Sequence, residues 1–448
     1  MTHHATHTAT HHEHAAIVAI GDELTLGEHL DTNSKWIAEK LVGRGITVDL
    51  HLTAPDELAL IADAISIASE RCDLVICTGG LGPTEDDLTR RALAHAAEEG
   101  LVTDELALAT IAGWFTSRGK ELIDANAVQA LRPESGSCIE NPLGTAPGIT
   151  MRVRCADVFC LPGPPREMRP MFESAVEPAL RPAPGRAVIA RSFLTAGIGE
   201  STVAQKLGGL MDRQLNPNIS TTASLGTVTC RLRYSGEASE TSERALDALE
   251  AQLHEAVGGY IIATGETSLA EQAVRALSED GAALVTAESC TGGMVGEAIT
   301  AVSGSSSVYL GGCVSYHNET KINQLGVTRQ TMEAHGAVSE QTAREMARGV
   351  IERYTHDPAQ RACSISITGV AGPSGGTEKK PVGTVYICIS TRSDGAFTRE
   401  DLRQFRFPGP REDVRRRSTA SALTMLIHTL RGSTAPALLW QRIDPTPE

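Results

Sequence analysis

Ser289 and Lys321 are the residues whose type and surroundings best suit nucleophilic chemistry. Ser289 lies in Ala287-Glu288-Ser289-Cys290-Thr291-Gly292-Gly293, after an apolar run at 283–286 that reads as a strand and before a helical stretch at 294–302. Strand-to-helix turns often carry nucleophiles. The backbone amides of Thr291, Gly292 and Gly293 at the helix start can receive an oxyanion, because unsatisfied N–H groups and the helix dipole both favour negative charge there. A Ser/Thr helix cap explains the same residues equally well. Cys290 is a rival nucleophile, although no histidine is placed to activate it. Lys321, in Ser315-Tyr316-His317-Asn318-Glu319-Thr320-Lys321, is predicted at the third position of a helix capped by Asn318. The dipole there opposes an ammonium and favours the neutral amine that a general base requires, against the ordinary alternative of a solvated lysine.

Glycine-rich loops after predicted strands outline a ligand crevice beside these residues, with Gly369 and Gly372 in the run 368–376 and a second loop at 380–384. Arg411, Arg415, Arg416 and Arg417 open the final helix, where they suit a phosphate monoester or a facing subunit, or form a solvated basic face.

A second set of chemical residues lies near the start of the chain. Gly21-Asp22-Glu23-Leu24 follows a first strand, and Asp31-Thr32-Asn33 precedes a first helix. Polar groups at the carboxyl end of a parallel strand sit where open α/β sheets bind ligands, although a turn and an N-cap account for them too. The run from Thr78 through Gly79, Gly80, Gly82, Thr84, Asp86 and Asp87 is more specific. Its glycines let backbone N–H groups approach an anion, and the adjacent carboxylates at the predicted helix start suit a phosphate with a metal ion. Thr84 and Asp87 also fit a capping box, which makes Asp86 the better ligand.

Elements must position these groups, and length sets their number: 448 residues give about three domains. With 41% apolar and 21% charged residues the chain is globular. The net charge of -15 argues against a general nucleic-acid or membrane-surface binder, because phosphate attraction needs positive charge, and favours small-molecule partners. No apolar run reaches the roughly 18 residues of a membrane span, and the first residues lack the basic-then-apolar pattern of a signal peptide, so a cytoplasmic protein is expected. The ten cysteines show no zinc spacing and read as reduced thiols.

Strand and helix alternate from residue 15 to 180, with a helical stripe at Leu58, Ile61, Ala62, Ile65 and Ala68, as in a doubly wound α/β layer. Residues 181–265 read as a small α+β domain, and 266–431 as a second α/β domain. Residues 1–14, rich in histidine, are expected to be a disordered tail, and 432–448 a loosely held one.

The motifs GDELTLG, DTN, TGGLGPTEDD, NPLGTAPG and LPGPPREM in the first segment, with AESCTGG, SGSS, SYHNETK, HGAVSE, TGVAGPSGG, KPVGTV and DVRRR in the last, resemble the CinA family. That resemblance covers nearly all of residues 15–431. It implies a molybdopterin-binding-like α/β/α first domain with metal-dependent ADP-ribose pyrophosphatase activity, a KH-like middle domain, and a carboxy-terminal nicotinamide-nucleotide amidohydrolase. On this likeness Ser289 is the deamidase nucleophile, activated by Tyr316 and Lys321. Thr368 would orient Lys321 or the leaving ammonia, and Ser305 and Ser306 would contact phosphate. No cofactor is implied at that site. In the first domain Asp22, Glu23 and Asp86 are candidates to hold the divalent ion or to act as base, with phosphate on Gly79, Gly80 and Gly82 and the ribose or base on Asn33 and Asn141.

A KH domain clamps RNA through a G-x-x-G loop, and Gly208-Gly209 in Lys206-Leu207-Gly208-Gly209-Leu210 does not supply one. The middle segment is therefore expected to be a spacer or dimerisation element in a homodimer. Besides the bifunctional reading, two alternatives remain: a single-activity deamidase with a nucleotide- or pterin-binding first domain, or a competence-related binding protein without catalysis.

Overall fold

The computed structural model describes residues 11–442 except Leu225 and Pro358, and gives two compact units. The first comprises the chain up to Ile189 with Tyr234–Glu240, and the second comprises Ala190–Arg233 with the chain from Thr241 onward.

In the first unit a six-stranded sheet runs in the order Thr47–Ala54, His14–Ile20, Leu74–Thr78, Ala156–Leu161, Gly148–Val153, Ser137–Ile139. The first four strands are parallel and the last two antiparallel. His14–Ile20 and Leu74–Thr78 are almost wholly buried because helices cover both faces, which explains their continuous rather than alternating apolar sequence. Ile61, Ala62, Ile65 and Ala68 of helix Leu58–Arg71 pack on one face of the sheet, while Ile37 and Leu41 of helix Thr32–Val42 pack on the other. Asp31 caps the latter by accepting the Ser34 amide.

The fold takes in part of the histidine-rich segment expected to be a tail. His12 is buried, its ring bonded to Asp157 and accepting the Arg181 amide, and His14 already opens the first strand. The expected tail thus stops short of residue 12, and residues 1–10 lie outside the described residues.

The second unit holds most of a four-stranded antiparallel sheet, Asn218–Ser224, Thr227–Glu237, Arg186–Ala196, Ile261–Thr264, with helices Glu200–Leu207 and nearly all of Glu240–Val257. It also holds a five-stranded sheet, Tyr309–Val314, Ala283–Glu288, Ala362–Gly369, Thr384–Ser393, Ala396–Arg406, whose first three strands are parallel and the rest antiparallel. Leu194, Ala196 and Ile262 of the smaller sheet share one core with Leu284, Ile365 and Met425 of the larger domain. The middle segment is therefore packed into the third rather than spaced from it.

Residues 433–442 are docked as well. Leu438 is 4% exposed in that core, the Leu439 amide bonds Gly197 O, and Arg403 donates to the carbonyls of Ala435 and Pro436. The loose carboxyl tail expected from its prolines is thus replaced, over residues 433–442, by a strap held by buried apolar groups; residues 443–448 lie outside the described residues. Among the described residues no helix is long and apolar enough to cross a membrane.

Candidate active sites

Strand Ala283–Glu288 is buried at every position and carries Ser289 at its carboxyl end. The neighbouring strands fix the turn: the Ser289 amide donates to Ile367 O at 2.9 Å, and the Ser315 amide donates to Glu288 O at 2.8 Å. Lys321 lies on helix Asn318–Leu325 and is 1% exposed. Its Nζ stands 3.0 Å from Ser289 Oγ and 2.6 Å from the Ser315 carbonyl. No carboxylate faces the ammonium in these contacts, and burial lowers its pKa to about 8, with the neighbouring Cys290 and Cys313 thiols opposing the shift.

The sequence argument placed the cause elsewhere. His317, not Asn318, caps the helix by accepting the Glu319 amide, so Lys321 is its fourth residue, and desolvation leads the shift. Cys290 is fully enclosed, and burial pushes its thiol up to about 12, far from a thiolate at neutral pH.

The oxyanion donors are fewer than expected. Glu288, buried at the strand end, accepts the amides of Gly293, Val295 and Gly296 at 3.0, 3.1 and 2.9 Å and so fills the start of helix Met294–Thr300. The Gly292 amide turns back to Ser289 O at 3.1 Å. Gly292 and Gly293 thereby shape the turn through their positive φ, and the Thr291 amide is the donor of the three left for an oxyanion. Glu288 was missed as a functional residue; the signal was a carboxylate one position before the turn, at a helix start lacking another cap.

The other residues of this set divide by place. Arg415 donates to Thr291 O at 2.7 Å, next to the turn. Arg411 joins two rim loops, donating to Gly372 O at 2.8 Å and Tyr316 Oη at 2.7 Å. Tyr316 is 60% exposed and bonded to that guanidinium rather than to Ser289 or Lys321. Arg416 turns to Glu412 on its own helix. Thr368 is buried, and its hydroxyl donates to Ala337 O at 2.6 Å instead of orienting Lys321. Gly369 permits close strand packing, since a Cβ there would meet Thr384 O at 2.8 Å. Ser305 and Ser306 lie in a 3₁₀ turn before strand Tyr309–Val314. That strand runs parallel to Ala283–Glu288 with Tyr309 level with Leu284, so the serines sit at the opposite end of the sheet, on the order of 15 Å from Ser289 along the strands.

In the first unit the carboxyl ends of the parallel strands open into a cavity of about 530 Å³, lined by Glu23, Asp56, Gly79, Gly80, Gly82, Asp86, Asp87, Trp114, Arg166 and Glu167 among others. The glycines are there for close approach: a Cβ at Gly79 would stand 2.1 Å from Ile20 O, and one at Gly80 2.3 Å from Thr89 Oγ1. Their amides are not equally available. Gly79 donates to Leu161 O and Gly82 to Asp87 Oδ1, which leaves the Gly80 amide of the three for an anion. Asp87 also accepts the Thr84 amide and hydroxyl, so it folds the loop, and the helix begins only at Thr89.

Asp86 is exposed, and hydrogen bonding within the loop, its own backbone amide included, holds its carboxyl below the usual range. Asp22 lies outside the cavity lining and exchanges backbone-to-carboxylate hydrogen bonds with Asp56. Burial raises the pKa of Asp56, and repulsion from Asp22, Glu23 and Asp86 adds to it. Among the described residues no three such side chains converge tightly enough to hold an ion by themselves. The mutual repulsion fits a divalent ion shared between one or two carboxylates, water and a substrate phosphate, which is how Mg²⁺ is usually held.

Asn33 and Asn141 stand behind the cavity wall. Asn33 donates to Thr78 Oγ1 and Gly163 O, with its own Oδ1 buried and unpartnered. Asn141 donates to Ala146 O and Glu167 Oε2 and accepts the Leu143 and Gly144 amides, fixing the loop that borders the cavity. Asp56, Trp114, Arg166 and Glu167 escaped the sequence reading. An acid at the end of the second strand was a signal for Asp56, whereas nothing local marked Trp114.

These features define a mixed α/β protein of three parts: a molybdopterin-binding-like segment, a KH-like middle and a further α/β domain. Family models match in the same order: "Probable molybdopterin binding domain" over 16–182, "Damage-inducible protein CinA KH domain" over 190–263, and "CinA C-terminal domain" over 266–430. The chain is 39% identical to a Halothermothrix orenii protein named for competence and damage induction, covering 94% of this chain and 99% of that one. It is 38% identical to a CinA-like protein of Kosmotoga olearia, over 93% and 98%. A crystal structure of CinA, described as of unknown function, from Thermoplasma acidophilum is 34% identical and covers 38% of this chain and all of that one, with a TM-score of 0.36. The chain belongs to the CinA family.

Proposed function

We propose that the carboxy-terminal domain is a nicotinamide-nucleotide amidohydrolase that converts nicotinamide mononucleotide and water to nicotinate mononucleotide and ammonia. The observation that carries this reading is the buried contact between Ser289 Oγ and Lys321 Nζ. An amide carbon needs a nucleophile stronger than a neutral hydroxyl, and an amine whose pKa burial lowers to about 8 can take the hydroxyl proton and so supply one. Ser289 Oγ attacks the carboxamide carbon while its proton passes to Lys321. The C–N bond then breaks as Lys321 returns that proton to the leaving nitrogen, which departs as ammonia. Water cleaves the resulting ester with Lys321 again taking the proton and Ser289 recovering its hydroxyl hydrogen. The Thr291 amide would be the backbone donor for the developing oxyanion, and Arg411 with Arg415 suits the substrate phosphate. Ammonia release from nicotinamide mononucleotide should fall by about a thousandfold in Ser289→Ala and in Lys321→Met, the scale expected on losing a nucleophile or its base. Full activity in Ser289→Ala with loss in Cys290→Ala would replace this mechanism with a thiolate one.

The carboxylate-lined cavity supports a second activity, hydrolysis of ADP-ribose to AMP and ribose 5-phosphate. A divalent ion shared there between one or two of the carboxylates Glu23, Asp56 and Asp86, water and the substrate's phosphates, with Asp22 behind Asp56, would neutralise the pyrophosphate and acidify an attacking water. The Gly80 amide would orient one phosphate, and Arg166 at the cavity edge would add positive charge.

A further inference from the structure

The glycine loop of the first domain is held from behind by Thr89 and Arg90, two residues that do not line the cavity. All four carbonyls of residues 79–82 are drawn to them. Gly79 O accepts the Thr89 hydroxyl at 2.8 Å, and Gly80 O accepts the Thr89 amide at 3.1 Å. Leu81 O accepts Arg90 Nη2 at 2.5 Å, and Gly82 O accepts both Nη1 and Nη2 at 3.1 Å. A trans peptide points its N–H opposite to its carbonyl, so the pull on Gly79 O and Gly80 O turns the Gly80 and Leu81 amides away from helix Thr89–Ala97. Carbonyl oxygens repel an anion, whereas a run of outward amides attracts one.

The side chain that does most of this carries a charge with no partner of its own. Arg90 is 3% exposed, every hydrogen bond of its guanidinium goes to a backbone carbonyl, and its Nε is buried without a partner. Asp87 is the carboxylate whose charge reaches it, yet that carboxylate is already bonded to the Gly82 amide and to Thr84. A guanidinium keeps its proton in a protein interior, so the loop rests on a buried positive charge. Such a charge is unfavourable until an anion balances it. Arg90 and Asp87 also clamp one peptide unit from its two ends, through Leu81 O and the Gly82 N–H, which keeps the loop from turning its carbonyls back toward the cavity.

We propose that Arg90 is a positioning residue for phosphate capture: with Thr89 it draws the carbonyls of residues 79–82 away from the cavity, and its buried charge is balanced when a phosphate of the substrate sits on the loop. This rests on the pyrophosphatase reading of the cavity and adds which groups, other than the metal ion, hold the phosphates.

Steady-state hydrolysis of ADP-ribose and equilibrium binding of inorganic pyrophosphate, both by the full chain with Mg²⁺, test this in Arg90→Lys and Thr89→Val. The lysine keeps the charge but not the fork that spans two carbonyls, and the valine releases the Gly79 carbonyl from its hydroxyl. Arg90→Lys should raise KM about tenfold and weaken pyrophosphate binding by a similar factor, with kcat within about threefold of wild type, because the binding lost is shared by substrate and transition state. Thr89→Val should move KM and pyrophosphate binding in the same direction by a smaller factor. A purely structural role would lower kcat with the folded fraction and leave KM and pyrophosphate binding unchanged, and that result would overturn the proposal. Should Arg90→Lys fail to fold, Thr89→Val decides by the same criterion. ADP-ribose hydrolysis by the wild type with pyrophosphate bound equally by all three proteins would overturn the role of Arg90 and leave the pyrophosphatase reading standing. The expected loss of pyrophosphate binding in a chain that hydrolyses no ADP-ribose would defeat that reading and leave the loop's role standing.

Discussion

Burial of Lys321 favours its neutral amine, the form that the proposed general base requires. With its pKa lowered to about 8, roughly a tenth of the amine is free at pH 7, and the free fraction grows tenfold per unit below that value. Because the neutral form is the active one, deamidation should rise with pH and level off above about 8. The Cys290 thiol, pushed up to about 12, would instead give a rate still climbing at pH 10. A kcat/KM profile from pH 6 to 10 separates the two, and Cys290→Ala should retain most activity. Glu288 adds a different lesson at this scale. Its carboxylate takes the amides that a helix start would otherwise offer to substrate, so the same local sequence that advertises an anion site also fills it.

Short strands running into glycine turns position both sites, and each turn is held by its own carboxylate: Asp87 in the first domain, Glu288 in the last. Among the elements, the strap at 433–442 departs most from what its prolines suggest. Leu438 reaches Gly197, where a Cβ would stand 2.3 Å from its Cδ2, and lies in the core common to the middle and last segments. Leu438→Ala should cost about 2–5 kcal/mol in the unfolding of that unit, as for other buried leucines, measured from denaturant midpoints. A loosely held tail would show no change.

At the scale of the molecule, the two proposed reactions differ in what they need. The first cavity gathers more carboxylates than the guanidinium of Arg166 can balance, whereas Ser289 and Lys321 are in direct contact with no carboxylate in their hydrogen bonds. Chelation of divalent metal should therefore abolish ADP-ribose cleavage and leave ammonia release from nicotinamide mononucleotide intact. Asp86→Asn should do the same to the first activity without a shift in melting temperature, since Asp86 is exposed and the amide matches its size. Equal loss of both activities on chelation would remove the metal from the first site. In the same assay, Lys321→Met should leave ADP-ribose cleavage unchanged.

Much of this architecture is legible from sequence because it depends on local pattern. Apolar runs of four to seven residues ending at Gly21, Gly79 or the turn at 289–293 read as buried parallel strands, and the helical stripe from Leu58 to Ala68 gives the face that covers them. Placing Ser289 on a turn and Lys321 near a helix start needs only neighbours in the chain. Their 3.0 Å approach does not follow from that, because it depends on the parallel register of Ala283–Glu288 with Tyr309–Val314, which sets the level at which the next helix begins. The same register carries Ser305 and Ser306 to the far end of the sheet. Thr368, Asn33 and Asn141 have side chains suited to a substrate, but the backbone groups that engage them come from other segments. Trp114 enters the cavity only because a helix far from the glycine loop folds over it. Sequence determined which groups can do chemistry and which elements carry them; long-range packing decided which groups are buried together, and so which can act.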